Sequence, residues 1–355
     1  MNFGIYILTY PGDFHLSTAL VKSLQFFAPD IPIMIIPGDN FNLEDHPFRN
    51  IPIMKDPGGF WSKMKYIDRK FWAYAGPFDR FLYLDGDVLC IRSFESLLQR
   101  IKAEIGAFLY VAHMPEIFEV QHKTETQIAQ IKETNKKRVL EGQLGVPERI
   151  KRFDPDYRFN EHYAFNAGLI ASSTSTLREK DFEELHAKEK AFFDEDIGCE
   201  FSWKSHALFF ADQGRINYLS VKKNIPVKST GPDSIGRWGG AATDLTLDDC
   251  LAGRAPYSFI HWAGCPRPSG TLFNEGGLFK IYARSYGPSL KYTCKTREVP
   301  CLSLWRHFCD PVIVQQMRAG NYNKEMRQIL RYYSGGIRRL VRPVYHSLKN
   351  ICTNK

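Results

Sequence analysis

Two aspartates separated by a single glycine, Asp85-Gly86-Asp87, close the apolar and aromatic run FLYL at residues 81–84. Carboxylates at i and i+2 on a turn leaving a strand can both reach one hard divalent cation. Mg²⁺ and Mn²⁺ take such oxygen ligands and commonly share them with substrate phosphates. Gly86 permits the tight bend and the close approach of a ligand. Asp and Gly are also ordinary turn residues, so the triplet on its own is equally readable as the start of a turn.

The surrounding elements decide how such a triplet is displayed. GIYILTY near the N-terminus is β-rich, TALVKSLQFFA has helical spacing, and IPIMIIPGD reads as a buried strand. This βαβ opening predicts a parallel sheet with a right-handed crossover. FLYL is then a third strand ending at Asp85, followed by a helix over SFESLLQRIKAE, opened by Ser93 with Glu95 in its first turn. In open α/β sheets ligands bind beyond the carboxyl ends of the strands, which is where Asp85 and Asp87 fall.

Further along, residues 115–152 are polar and helix-favouring and read as an exposed helical insertion, either a solvated element or a wall of an acceptor site. FNAGLIASS (165–173) returns to a buried strand and FEELHAKEKAFF to an amphipathic helix. The run STGPDSIGRWGGAATD (229–244) has neither helix nor strand period and is long enough for a functional loop, with Trp238 a candidate to shape an acceptor site. SFIHWAG (258–264) reads as one more strand running into a turn.

The chain has 355 residues, 44% hydrophobic and 24% charged, enough for a substantial core in one large α/β domain or two smaller ones. The sequence contains no stretch of eighteen apolar residues, and the segment MNFGIYILTY has no signal-peptide character. The expectation is a protein on the cytosolic side of the membrane. The eight cysteines form no CxxC pair, which argues for reduced thiols rather than a zinc ribbon or redox motif. The net charge of +8 is concentrated at the end: from residue 324 on, eight Lys and Arg stand against Glu325 alone. That tail carries +7 and leaves the body nearly neutral.

YLDGDVLCI, with its preceding apolar strand, resembles the DxD motif of GT-A fold glycosyltransferases. Three later segments resemble those of the family 8 type, which includes glycogenin and bacterial lipopolysaccharide glycosyltransferases. FNAG (165–168) is similar to that family's Asn-Ala-Gly strand end. ADQ (211–213) is similar to its Asp-Gln motif. HWAGCPRP (261–268) is similar to its His-x-x-Gly-x-x-Lys-Pro segment, with Arg267 where lysine is usual. Together the four segments span residues 83–268 in the family's order.

The resemblance implies a GT-A, Rossmann-like, mixed and mostly parallel sheet flanked by helices over residues 1–300; the helical pattern and the charge of the sequence itself add a basic helical tail over 301–355. It implies a divalent metal, Mn²⁺ ahead of Mg²⁺, held by Asp85, Asp87 and His261, and a UDP-sugar as donor. Gly264 would admit backbone amides to the phosphate and Arg267 would bind it, arginine keeping the charge but changing the geometry. Asn166, Ala167 and Gly168 would lie by the donor sugar. Asp212 and Gln213 would bind its hydroxyls and, with Asn166, form the catalytic set. Asp212 is alternatively readable as a helix N-cap, or as the base if the reaction inverts.

Leu8, Thr9 and Tyr10 end the first strand, where this fold binds base and ribose. The intervening loop, PGDF, departs from the family pattern. A basic residue upstream of the DxD usually assists the nucleotide, and Lys63 or Arg69 could supply it, with Lys63 preferred. The implied activity is transfer of a hexose from UDP-glucose or UDP-galactose to a hydroxyl acceptor such as a growing surface glycan, with retention.

Two other classes fit parts of the pattern. A sugar nucleotidyltransferase also joins a metal to an α/β sheet, but the Gly-rich basic phosphate loop such enzymes place after the first strand is missing. A non-catalytic sugar-binding or membrane-associated protein of the same fold would not need the full set of Asp85, Asp87, His261 and Arg267. The tail, ILRYYSGGIRRLVRPVYHSLKNI, mixes basic with apolar residues as interfacial helices do, so it would either meet an anionic membrane or pack on the catalytic domain. No RNA-binding motif accompanies it, and no nucleic-acid partner is expected.

Overall fold

The computed structural model describes residues 2–113, 151–157, 165–196, 211–231, 234–236, 247–255 and 257–261, with residues 126 and 308. All of them fall in one compact unit, Met1–Arg267 with Thr296–Cys309. The expected helical insertion, apart from residues 126, 151 and 152, and the expected basic tail, apart from residue 308, lie outside the described residues, as does Trp238.

The N-terminal βαβ reading holds: β1 (Phe3–Thr9), α1 (Phe14–Phe27) and β2 (Ile33–Pro37) follow in order, with Ile5 opposite Ile33 in parallel register. A long 3-10 segment, Tyr66–Ala75, precedes β3 (Arg80–Asp85), which pairs in parallel with β1 and sets Leu8 opposite Asp85. After a turn come β4 (Val88–Cys90), α2 (Glu95–Ala103), β5 (Leu109–His113) and β6 (Phe165–Ser173). Then follow α3 (Glu179–Asp196), α4 (Ala211–Lys222), β7 (Val227–Ser229), β8 (Ile235–Gly236), α5 (Leu247–Leu251) and β9 (Phe259–His261).

The main sheet has the order β2-β1-β3-β6-β5-β7, and β4-β9-β8 form a smaller second sheet. In the main sheet β6 alone runs against the others, pairing antiparallel with both β3 and β5. This is the mixed, mostly parallel α/β architecture expected.

Central strands read as unbroken apolar runs because both faces are covered. Alternate residues of β1 and β3 enter two different cores: Tyr6, Phe81 and Tyr83 on one side, Ile5, Ile7, Leu82 and Leu84 on the other. That is the two-residue side-chain period of a strand with no solvent face. The first core is closed by Phe71 and Trp72 of the 3-10 segment, Phe182 of α3 and Ile216 of α4. The second is closed by Leu20 and Leu24 of α1 and Leu97, Leu98 and Ile101 of α2. Each such side chain, fully buried, stabilises the fold by about 1.5–3 kcal/mol.

Two local readings need correction. Ser93 does not cap α2: the N-cap residue is Phe94, without a side-chain cap, and the Ser93 carbonyl accepts a hydrogen bond from Ser258 Oγ at 3.1 Å. The segment from Ser229 is also not wholly irregular, since Ser229 ends β7 and Ile235–Gly236 pair in parallel with Phe259–Ile260. A two-residue strand is too short to show a period of two. Among the described residues, no helix is long and apolar enough to cross a membrane, and Cys90 and Cys250 are buried free thiols.

Candidate active site at the end of the third strand

The turn between β3 and β4 carries the chain from the large sheet to the small one, and Asp85 and Asp87 flank that crossing. Gly86 has no room for a side chain: a Cβ there would meet Ser17 Oγ at 2.6 Å and the Leu8 carbonyl oxygen at 3.0 Å. Ser17 is itself held, donating to Thr9 Oγ1 at 2.6 Å. The glycine is therefore required by contact with the end of β1 and the first turns of α1.

His261 reaches the same place through β-sheet register. In the antiparallel β4–β9 pair Val88 lies opposite His261, which brings the imidazole to the aspartate preceding Val88. His261 Nε2 is 3.2 Å from Asp87 Oδ1 and 3.8 Å from Asp85 Oδ2, and both His261 and Asp87 are buried. One ligand atom from each of Asp85, Asp87 and His261 falls within 4.8 Å of the others. Two carboxylates and an imidazole in this arrangement fit a divalent cation and leave room for phosphate oxygens. The described residues thus bring together the metal trio that the sequence implied.

Among the described residues, a basic side chain that meets this cluster is Lys70, which the sequence reading passed over. Its amine is completely buried and lies 3.1 Å from Asp85 Oδ1 and 2.5 Å from Asp212 Oδ2, and it donates to the Ala167 carbonyl at 3.2 Å. It also stands over the Tyr83 ring, 5.0 Å from the centroid. Burial pushes the ammonium towards neutrality, but Asp212 and Asp85 more than offset this and raise its pKa above the ordinary lysine value. Asp212, also fully buried, is pushed up by desolvation against the pull of Lys70, with Asp85 adding to the rise. Asp85 and Asp212 both meet this lysine, while Asp87 meets His261, so three acidic groups gather at one strand end where a cation can be held.

Lys63, the residue preferred from sequence, is exposed, with its amine 5.8 Å from the centroid of the Phe60 ring. Arg69 turns instead to the end of β2, pairing with Asp39 at 2.9 Å and donating to the Pro37 carbonyl at 2.9 Å. Asp39 also accepts the Tyr66 backbone N–H at 2.8 Å, fixing the start of the 3-10 segment where Tyr66 adopts a positive φ of 52°. Lys70 was recoverable in principle. It precedes Phe71-Trp72-Ala73-Tyr74, all buried, and a lysine within a buried run must find a counter-charge.

The segment 165–168 meets the site through an irregularity. Pairing of β5 with β6 shifts between Val111, opposite Ile170, and Ala112, opposite Asn166. Extra β6 residues at Ala167–Leu169 are accommodated there, and the Ala167 carbonyl is thereby presented to Lys70. Asp212 and Gln213 lie in the first turn of α4, Asp212 buried and Gln213 half-buried.

At the end of β1, Leu8 and Thr9 are buried and Tyr10 is half-buried beside Gly38. Burial, with Asp39 and Asp85 nearby, pushes the Tyr10 phenol well above its ordinary pKa. Gly264 and Arg267 lie outside the described residues.

A second charged cluster braces the first. Arg215 of α4 grips both oxygens of Asp68 at 2.7 and 2.8 Å and both oxygens of Glu189 of α3 at 3.2 Å. Asp68 is two residues before Lys70 and Arg215 three after Asp212, so the 3-10 segment and α4 are joined by two ion pairs of opposite sense.

No protein-family profile and no curated protein sequence matches the chain. Among solved structures it is similar to the galactosyltransferase LgtC in complex with donor and acceptor sugar analogs, at TM-score 0.43 and 15% identity over 86% of this chain and 99% of that one. It is similar to the WbbM bifunctional glycosyltransferase in its apo form, at 0.42 and 14% over 84% and 52%. It is also similar to mouse xyloside xylosyltransferase 1, at 0.40 and 13% over 76% and 99%. The chain thus spans about half the length of WbbM. Likenesses this distant add nothing to the functional assignment, which rests on the residues of the site.

Proposed function

We propose that the protein is a metal-dependent glycosyltransferase that moves a hexose from a nucleotide sugar, UDP-glucose or UDP-galactose, to a hydroxyl of a glycan or lipid-linked glycan acceptor. The observation that carries this reading is the convergence of Asp85, Asp87 and His261 at one strand end, with a buried lysine bridging Asp85 to Asp212.

A divalent cation held by Asp85, Asp87 and His261 would supply positive charge where the leaving diphosphate accumulates negative charge. The chain's own groups divide the remaining work. Gly86 lets the turn seat against Ser17 and the Leu8 carbonyl and so sets where Asp85 and Asp87 are presented, and Thr9 and Tyr10 flank the nucleoside end. Asp212 and Gln213 accept sugar hydroxyls, which both donate and accept hydrogen bonds. Lys70 holds Asp212 in place, and its position against the Ala167 carbonyl ties the Asn166–Gly168 segment to the donor sugar. Arg267 adds a second cation for the phosphate.

Transfer with retention fits this set best. If the acceptor's proton passes to the departing phosphate oxygen, no protein carboxylate has to be free as a base, and Asp212 is already committed to Lys70. The basic stretch from residue 324 would hold the catalytic unit against an anionic membrane face on the cytoplasmic side. A chain ending near residue 320 should then lose flotation with anionic liposomes.

The test is product identity. Purified protein is given a panel of UDP-sugars, Mn²⁺ and simple glycan acceptors, and nucleotide products are separated. Free UDP formed with acceptor glycosylation supports the proposal. Pyrophosphate in its place would mean nucleotidyl transfer, and a folded protein that binds UDP-sugars yet releases neither product would contradict catalysis.

A further inference from the structure

We propose that Tyr83 is a positioning residue that restricts Asp85 to offering a cation one oxygen, and so sets which cation the site accepts. The inference rests on the reading of Asp85, Asp87 and His261 as a cation site.

Tyr83 lies on β3 two residues before Asp85, hence on the same face of the strand, and is buried. Its hydroxyl donates to Asp85 Oδ1 at 2.6 Å, and Lys70 Nζ reaches that same oxygen at 3.1 Å. A carboxylate oxygen has two lone-pair sites, and here two buried donors take both. Lys70 is itself held by Asp212, the Ala167 carbonyl and the Tyr83 ring, so it cannot drift from Oδ1 without giving up those contacts. The second oxygen, Oδ2, is the one turned towards His261 Nε2, at 3.8 Å. Asp85 is therefore prevented from rotating to present both oxygens.

The consequence is chemical selectivity. Mg²⁺ and Mn²⁺ are six-coordinate and are served by carboxylates giving one oxygen each. Ca²⁺ takes six to eight oxygens and gains from bidentate carboxylates. A hydroxyl that occupies Oδ1 thus favours the smaller ions over Ca²⁺. Partners behind a ligand that orient it in this way typically alter metal affinity by about 10–100-fold.

The test uses the full-length protein without nucleotide sugar, and measures Mn²⁺ and Ca²⁺ binding by calorimetry for wild type, Tyr83→Phe and Asp87→Asn, with thermal melts alongside. Wild type should bind Mn²⁺ at least about ten-fold more tightly than Ca²⁺. Tyr83→Phe, which removes only the hydroxyl and frees a lone pair of Asp85 Oδ1, should lower the Mn²⁺-to-Ca²⁺ affinity ratio by about ten-fold, mostly through stronger Ca²⁺ binding. A purely structural role for Tyr83 would lower the melting temperature and leave that ratio unchanged, and that result overturns the inference. So does a wild type that shows no preference for Mn²⁺, whether or not the variant folds. Wild type binding no Mn²⁺, or Asp87→Asn binding it as well as wild type, would instead remove the cation site itself and the inference with it.

Discussion

Lys70 Nζ lies 2.5 Å from Asp212 Oδ2, and both side chains are almost entirely removed from solvent. One comes from a 3-10 segment before β3 and the other from the first turn of α4, about 140 residues apart in the chain but joined at one strand end. Removing one partner of such a pair leaves an uncompensated buried charge, and here the lysine serves Asp85 as well. Lys70→Met should therefore destabilise the protein by about 3–5 kcal/mol. Adding Asp212→Asn to it should recover part of that loss. Denaturant melts of the two singles and the double check this, and additive losses would argue against the pairing.

Arg215 extends the same joint. Its contacts with Asp68 and Glu189 are partly solvent-accessible, so Arg215→Met should cost less, about 1–3 kcal/mol after screening. A double-mutant cycle on Asp68→Ala and Arg215→Ala should show coupling of about 1 kcal/mol or more. Because Asp68 and Lys70 share one short segment, kcat of the proposed transfer should fall in Arg215→Met while Arg215→Lys recovers part of it. Equal kcat in all three proteins would confine Arg215 to stability.

Gly86 is a steric requirement. A Cβ would strike Ser17 Oγ, a side chain that can move, and the Leu8 carbonyl, part of a central strand that cannot. Gly86→Ala should cost about 1–3 kcal/mol and displace Asp85 and Asp87 relative to one another, weakening Mn²⁺ binding. Ser17→Ala should relieve only a minor part of the cost. A crystal structure of Gly86→Ala with both carboxylates undisturbed would contradict this.

Acid stability should depend on Asp154. Burial pushes its carboxyl up, but the Tyr218 hydroxyl at 2.6 Å, Lys222 at 2.9 Å and Lys188 at 3.6 Å pull it below the usual carboxylate value. A group depressed in the folded state stabilises the fold above its unfolded pKa, about 3.9, and loses that contribution as the pH falls through the lower folded value. Urea melts between about pH 5 and pH 2 should show a stability decline in the wild type that Asp154→Asn lacks at the acid end. Parallel pH profiles for the two proteins would refute the assignment.

The parts of the site legible in the sequence were those on regular elements. Asp85 and Asp87 follow a strand whose apolar run marks its own end, and Asn166–Gly168 and His261 lie on strands with the same signature. Asp212 opens a helix whose Asp-Gln pair carried the resemblance. Lys70 was hidden because Lys63, Lys65, Arg69 and Lys70 crowd one stretch without a helix or strand period, and chain spacing alone does not say which of them turns inward. The decision is made by tertiary packing, which buries Phe71 and Trp72 and carries Lys70 in with them. The role of Tyr83 was concealed for a related reason: in the sequence it is one more aromatic residue of a core strand, and only the fold aims its hydroxyl at Asp85.

The most direct measurement is UDP release from UDP-glucose and UDP-galactose in the presence of acceptor. Four conditions are compared: wild type with Mn²⁺, with EDTA, with Mn²⁺ restored after EDTA, and Asp85→Asn combined with Asp87→Asn with Mn²⁺. Turnover that EDTA stops, Mn²⁺ restores and the double variant lacks, while circular dichroism and melting show that variant folded, is the predicted result. Undiminished UDP release by the folded double variant would contradict the site assigned at the end of the third strand.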